Sequence, residues 1–450
     1  MTSLRVHPAT QPLKGRIDLP SDKSISHRAL ILSALAQGRS RLAGFSYGED
    51  NVSTLAALRA LGVHIEDDGH GTILVQGVGL AGFHQPATDL DCGNSGTTMR
   101  LMCGVLSAQP FHSRMVGDAS LSTRPMMRVA APLRLRGAVI DGRAHPKKPG
   151  DITAPLDIGP LPNGQRLSGL EYVLPIASAQ VKSALLLSGL FAAGATIVSE
   201  PLLSRDHTER MLQAMGVPLT TMGTTVRLDP PSRSDALQPF DVGLPGDLSA
   251  AAFPLVAAAL VEGSSVTTLQ TGTNPSRTGI LDILKAHGAG LVVQPQGAVL
   301  NEPIGELTVQ YGPLRAALVA GEMATRAIDE IPIICALAAR ARGATEIADV
   351  AELRVKESDR LAQMAKVLAS FGVACQERAD GLIIEGKPEG ALTGTRVNSN
   401  GDHRIAMTAA VLALVADGPT LIDDAGCIAT SFPSFVATFR ALGVRIEELP

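Results

Sequence analysis

One phrase recurs along the chain and limits what it can fold into. A helix-forming run is followed by one further residue, a glycine, a small apolar residue and a strand-forming stretch. It stands as Ala60-Leu61-Gly62-Val63, Leu135-Arg136-Gly137-Ala138, Ala214-Met215-Gly216-Val217, Ala286-His287-Gly288-Ala289, Ser370-Phe371-Gly372-Val373 and Ala441-Leu442-Gly443-Val444. The glycines are 75, 79, 72, 84 and 71 residues apart, so six copies account for all 450 residues. Length alone would suggest about three ordinary domains; the period replaces that reading with a repeat architecture.

A second element keeps the same beat. Apolar helices are expected near 25–37, 95–107, 179–193, 248–262, 330–342 and 403–417, each apolar nearly all round and therefore buried. Ser24, Asn94, Ser178, Asp247, Asp329 and Asp402 stand at their starts as N-cap residue types. Gly38, Gly194, Gly263, Gly343 and Gly418 stand after their ends, where a C-cap is expected. With the strands between, the unit reads β-α-β-α-β-β, six times over, an α/β protein. Three units per lobe is the natural division. The polar, proline-rich stretch Asp229-Pro230-Pro231-Ser232-Arg233-Ser234-Asp235 to Pro239 marks the boundary. One lobe is then expected over 21–239 and the other over 1–20 with 240–450.

Composition removes several classes of function. Hydrophobic residues make up 45%, enough for a large core and against disorder. Aromatics are 3%, tryptophan is absent and net charge is −4, so neither nucleic acid nor an anionic membrane is an expected partner. The longest apolar runs, such as 250–261, contain a proline and fall short of the ~20 residues of a membrane span. The first fifteen residues lack the apolar segment of a secretory signal. Cys92, Cys103, Cys335, Cys375 and Cys427 are widely scattered, without metal-binding or disulfide spacing; a reduced, cytoplasmic setting and no metal are expected. Gly77-Val78-Gly79-Leu80-Ala81-Gly82 matches a dinucleotide motif, but Phe83-His84-Gln85-Pro86 opens no helix, so it reads as a turn.

The charged residues gather at the starts of the buried helices. Ser21-Asp22-Lys23-Ser24-Ile25-Ser26-His27-Arg28 puts two cations and three hydroxyls around a helix N-terminus, where free N–H groups favour an anion. Asp91-Cys92-Gly93-Asn94-Ser95-Gly96-Thr97-Thr98-Met99-Arg100 opens a second, and Arg124-Pro125 is expected to lead into a helix with proline near its first position. Ala177-Ser178-Ala179-Gln180-Val181-Lys182 opens the third, with Ser204-Arg205-Asp206-His207-Thr208 in the corresponding loop. The later copies bring Asp329-Glu330, Gly401-Asp402-His403-Arg404, and Lys356-Glu357-Ser358-Asp359-Arg360, whose two cations are expected on one helical face. If these starts share one end of each lobe, Lys23, Arg28, Arg124, Arg205, Lys356, Arg360 and Arg404 line a basic cleft for small, multiply anionic ligands. Asp329 and Glu357 are the candidates for proton transfer.

In this order and spacing, SDKSISHR, GNSGTTMR, GDASLSTRPM, ASAQVKSALLL, SRDHTERML, RVKESDRL and GDHRIAM resemble the 5-enolpyruvylshikimate-3-phosphate (EPSP) synthase family over nearly the whole chain. Segments such as SRDHTE and IATSFPSF look most like the bacterial branch that contains glyphosate-tolerant members. The resemblance implies a two-lobed inside-out α/β barrel, three repeats per lobe, with two crossover strands. It implies transfer of the enolpyruvyl group of phosphoenolpyruvate to the 5-hydroxyl of shikimate 3-phosphate by addition and elimination. It implies that Lys23, Ser24, Arg28, Ser178, Ala179, Gln180, Arg205, Asp329 and Lys356 hold shikimate 3-phosphate. Lys23, Gly96, Arg124, Gln180, Arg360 and Arg404, with Asn94 at the edge, would meet phosphoenolpyruvate. Asp329 is the expected base, with Glu357 and Lys23 delivering the proton; no metal or organic cofactor is implied, and nothing calls for more than a monomer.

Two departures bear on inhibition. Thr430-Ser431-Phe432-Pro433 lacks the lysine many relatives carry there, and Leu101 follows Arg100 where plant-like members commonly have proline. Gly96 is the small residue of glyphosate-sensitive members, so glyphosate is an expected inhibitor, tempered by Leu101. The rival within the same chemistry is a UDP-N-acetylglucosamine enolpyruvyl transferase, but the loop 117–124 has no cysteine. The rival outside it is a catalytically silent anion-binding scaffold, which the retained Lys23, Asp329, Glu357 and Arg404 argue against.

Overall fold

A computed structural model describes residues 2–231 and 237–449. Ser232 to Asp235 of the expected linker lie outside the described residues. The chain forms two compact units: Met1–Asp22 with Pro245–Gly297 and Pro303–Pro450, and Lys23–Leu244 with Ala298–Glu302. We call the first the terminal unit and the second the central unit. Each has its own apolar core and three four-stranded sheets.

The six glycine phrases have one structural cause. Gly62, Gly137, Gly216, Gly288, Gly372 and Gly443 all take positive φ, between 77° and 104°, where a Cβ is strained. Each follows an α-helix: Glu49–Ala60, Met127–Leu135, His207–Ala214, Gly279–Ala286, Arg360–Ser370 and Phe435–Ala441. In every copy the glycine N–H reaches back three residues and the next N–H five, all at 2.9–3.1 Å, as in Gly62 to Arg59 O and Val63 to Leu58 O. These are Schellman ends, which satisfy the last helical carbonyls. Four copies add a side-chain clamp: Arg59, Arg134, Gln213 and Arg440 each donate to the carbonyl six residues on.

The buried helices are Lys23–Leu35, Gly96–Leu106, Ala179–Gly189, Leu248–Leu260, Ile331–Ala339 and His403–Ala413. Ser178, Asp247 and Asp402 cap as expected, accepting from Val181, Ser249 and Arg404 N–H. The other three expectations are corrected. Lys23 already opens its helix, so Ser24 lies inside it; Ser95 rather than Asn94 caps the second; Glu330 rather than Asp329 stands at the cap position of the fifth. The glycines after these helices are not caps either. The C-cap positions are Ser107, Leu190, Val261, Arg340 and Leu414 in the second to sixth helices; Gly38 lies within the strand Gln37–Ala43, while Gly263 and Gly343 take φ of 73° and 97° in the turns beyond.

Four sheets place the strand before a buried helix parallel to the strand after it. Three of them continue in an antiparallel hairpin, and in the fourth Ile446–Leu449 pairs antiparallel with the N-terminal strand Ser3–Val6. The remaining two exchange that first strand. Lys14–Ile17, which precedes the Lys23 helix in sequence, pairs with Ser265–Gly272 of the terminal unit. Asp241–Gly243, which precedes the Leu248 helix, pairs with Gln37–Ala43 of the central unit. The units therefore break directly before the two helices, at Lys23 and Pro245, a few residues beyond the positions 21 and 240 read from composition. Among the described residues, no helix is long and apolar enough to cross a membrane.

Candidate active site

In the central unit the charged residues collect at helix starts. Lys23 Nζ lies 2.9 Å from Asp50 Oδ2. Arg28 is buried and donates to Thr208 Oγ1 at 2.7 Å, Ser183 Oγ at 2.7 Å and the Ser24 carbonyl at 2.9 Å. These three acceptors are neutral oxygens.

The second helix start is built around Asn94. Its Nδ2 donates to Asp118 Oδ2 at 2.6 Å, and its Oδ1 accepts from Arg124 at 2.6 Å. Arg124 also donates to the Asn94 carbonyl at 3.2 Å and to Ser120 Oγ at 3.3 Å, while its Nε is buried with no partner among the described residues. A Cβ on Gly96 would sit 3.2 Å from an Arg100 guanidinium nitrogen and 3.3 Å from one of Arg124. The glycine therefore leaves space directly in front of two cations. Arg100 in turn donates to Gln180 Oε1 at 2.5 Å, and Gln180 Nε2 donates to Thr97 Oγ1 at 2.9 Å. Arg124 ends a short 3₁₀ turn, Leu121–Thr123, and Pro125 comes before the helix cap at Met126 rather than at the first helical position. Ala179 begins the third buried helix and Ser178 caps it, the Ser178 N–H donating to Glu200 Oε1 at 3.1 Å. Arg205 is half-buried just before Asp206, the cap position of the His207–Ala214 helix; His207 and Thr208 are already helical.

The terminal unit holds its cations on carboxylates. Arg360, 1% exposed, places Nε 2.9 Å from Asp402 Oδ2, one terminal nitrogen 2.8 Å from Glu357 Oε2 and the other 3.6 Å from Asp329 Oδ1. Lys356 lies 2.9 Å from Glu352 and 3.9 Å from Asp329, and Arg404 donates to the Asp329 carbonyl at 2.7 Å with Glu330 at 3.9 Å. Burial disfavours the Arg360 cation, but Asp402, Glu357 and Asp329 outweigh it and push its pKa above the ordinary arginine value. Burial is the largest influence on the Asp402 carboxylate and works against it, yet the charge and hydrogen bond of Arg360 together with His403 hold its pKa below the usual value. The expected common helical face for Lys356 and Arg360 is corrected. A 3₁₀ turn, Ala351–Val355, ends before Lys356, and the α-helix begins only at Arg360 with Asp359 as its cap. Asp329, Glu330, Glu352, Glu357 and Asp402 thus lie beside Lys356, Arg360 and Arg404.

The structure thus joins Arg100 to Gln180 and, across Gly96, to Arg124 on Asn94, and it joins Asp329, Glu357 and Asp402 to Arg360, with Lys356 and Arg404 also on Asp329. Arg100 and Asp402 were not singled out from sequence, although a signal existed for both. Arg100 is four residues after Gly96 on one helix face, and Asp402 was already a cap candidate. Asp50 had no such signal. Among the described residues, no group of three or more His, Cys, Asp or Glu is placed to hold a metal ion.

Known proteins of the same kind match this chain throughout. The family profile described as EPSP synthase (3-phosphoshikimate 1-carboxyvinyltransferase) matches residues 8–439. A 3-phosphoshikimate 1-carboxyvinyltransferase of Geobacter sulfurreducens is 47% identical over 99% of this chain and 100% of its own, and one of Gloeobacter violaceus is 49% identical over 94% and 95%. An EPSP synthase structure from Acinetobacter baumannii superposes with a TM-score of 0.88 at 42% identity, covering 100% of both chains. The enolpyruvyl transferase NikO from Streptomyces tendae shares the fold at a TM-score of 0.78 and 19% identity, covering 100% of this chain and 99% of its own. By these full-length matches the chain belongs to the EPSP synthase family, the 3-phosphoshikimate 1-carboxyvinyltransferases.

Proposed function

We propose that this chain transfers the carboxyvinyl group of phosphoenolpyruvate to the 5-hydroxyl of shikimate 3-phosphate and releases phosphate, the step of the shikimate pathway that leads to chorismate. The observation that carries the site assignment is the Asp329 carboxylate, 3.6 Å from Arg360 and 3.9 Å from Lys356. It combines a proton acceptor with cations for an anionic substrate.

In this reading Lys23, Ser24, Arg28, Ser178, Ala179, Gln180 and Arg205, with Asp329 and Lys356, hold shikimate 3-phosphate. Arg124, Arg360 and Arg404, with Lys23, Gln180, Asn94 and the space at Gly96, take phosphoenolpyruvate. Glu357 and Lys23 deliver a proton to C3 of phosphoenolpyruvate, C2 becomes electrophilic, and the 5-oxygen adds there as Asp329 removes its proton. The tetrahedral adduct then loses a proton from C3, the C2–C3 double bond re-forms, and the C2–O bond to phosphate breaks. Arginines fixed before the reaction stabilise the leaving phosphate without reorganising, which is where the largest catalytic contribution is expected. A monomer is the proposed working unit. The five free cysteines support a cytoplasmic setting.

Glyphosate is the proposed competitor of phosphoenolpyruvate. A methyl at Gly96 would require both guanidinium groups to give by a few tenths of an ångström. The test of the catalytic assignment is Lys23→Met. It should fold and lose at least ~10²-fold in turnover, the scale of a general acid–base contribution. Near-normal turnover would overturn it.

A further inference from the structure

Lys182 is 2% exposed, lies in the second turn of the Ala179–Gly189 helix, and has no part in the chemistry above. Its Nζ sits 2.6 Å from Glu200 Oε2 and 2.8 Å from Glu209 Oε1, with the Ser204 carbonyl at 3.5 Å. Both carboxylates are buried with the amine. The cluster ties together a helix start, the residue after the strand Thr196–Ser199, and the His207–Ala214 helix.

Glu200 carries that anchorage outward. Its Oε1 accepts from the Ser178 N–H at 3.1 Å and from Ser204 Oγ at 2.6 Å, and its Oε2 accepts from the Ser204 N–H at 3.3 Å. One carboxylate therefore fixes both the cap of the third buried helix and the residue before Arg205. The next residues along, Ser183 and Thr208, hydrogen-bond each other at 2.7 Å and both accept from Arg28. The layer that would touch the phosphate rests on the Lys182 layer. Three charged groups taken out of water are unfavourable unless paired and bonded, and apolar residues of the same volume commonly replace such clusters without loss of stability. What apolar residues cannot supply is the acceptor that orients Ser178 and Ser204.

We infer that Lys182 and Glu200 are positioning residues for shikimate 3-phosphate: the ammonium fixes the carboxylate, and the carboxylate sets Ser178 and the backbone before Arg205. The inference rests on the proposed assignment of Ser178 and Arg205 to that substrate.

The test is steady-state phosphate release by the full chain with each substrate varied in turn. Lys182→Met alone leaves two buried carboxylates without their cation, so the informative variant is Lys182→Met/Glu200→Leu/Glu209→Leu, which removes all three charges. KM for shikimate 3-phosphate should rise at least ~10-fold, the scale of lost hydrogen bonds to a charged group. KM for phosphoenolpyruvate and kcat should move less than about threefold. Ser204→Ala removes one Glu200 bond, keeps the buried charges paired, and decides the matter if the triple variant does not fold. It should raise the same KM about threefold and leave the other two values unchanged. An unchanged KM for shikimate 3-phosphate, or equal changes in both KM values, overturns the inference. Wild-type protein inactive on the two substrates would instead overturn the functional reading beneath it.

Discussion

Arg124 in the central unit and Arg360 in the terminal unit each lean on the residue at or just before the cap of a buried helix, but that residue is Asn94 for one and Asp402 for the other. The amide orients a guanidinium and leaves its charge for a ligand. The carboxylate orients it more firmly and cancels much of the charge. Arg136 shows what a buried arginine feels without any carboxylate. Its five bonds go to Ser168, Leu185, Ser188 and Thr196 oxygens, and burial alone pushes its pKa down to about 10, whereas Arg360 is pushed the other way. An arginine seated on neutral oxygens gains most from an arriving anion; one seated on carboxylates is fixed before any anion arrives.

Exchanging the two designs should separate these roles. Asp402→Asn leaves Arg360 buried on a neutral amide with Glu357 and Asp329 still beside it, and losing the one charged partner is expected to cost about 1.5–3 kcal/mol, read as a lower urea midpoint. A loss under about 1 kcal/mol would place the pair among ion pairs of little structural weight. Asn94→Asp puts a carboxylate against Arg124 and also against Asp118, which now accepts from the amide at 2.6 Å. It should raise KM for phosphoenolpyruvate roughly tenfold through the lost cationic character, with stability changed by about 1 kcal/mol or less. An unchanged KM would show that Arg124 does not serve that substrate.

Two smaller effects sharpen the contrast. Wild-type turnover should be inhibited by glyphosate in competition with phosphoenolpyruvate, and Gly96→Ala should relieve that inhibition while raising KM only a few-fold, since the groups the methyl meets are the movable ends of Arg100 and Arg124. No inhibition of the wild type at millimolar glyphosate would contradict this. The pH effect is smaller still. The folded Asp402 pKa lies below its reference value of 3.8, so its contribution to stability is fully present above 3.8 and is lost as pH falls through the folded value. Asp402→Asn should flatten the acid limb of the stability curve below pH 3.8 and leave its shape above that unchanged.

What could be read from sequence follows from how local each constraint is. A Schellman end needs a residue at positive φ and an apolar one after it, so six glycines stated the repeat directly. The strand exchange had no such mark. Lys14–Ile17 and Asp241–Gly243 are short edge strands of ordinary composition, and their partners lie more than 190 residues away. The same division holds at the site. Lys23, Arg124 and Arg404 stood out because cations at the start of a helix are unusual in themselves, whereas Ser178 was marked for the site only by the family resemblance. Asp50, Glu200 and Glu209 did not, because only folding brings their carboxylates to Lys23 and Lys182.

The central claim is that the anion-holding residues of both units act on one pair of substrates. Its most direct test is phosphate release by the purified chain with phosphoenolpyruvate and shikimate 3-phosphate supplied separately and together. Release that requires both, with one enolpyruvyl ether formed per phosphate, is the predicted result. Release from phosphoenolpyruvate alone, or none with both present, would contradict the account.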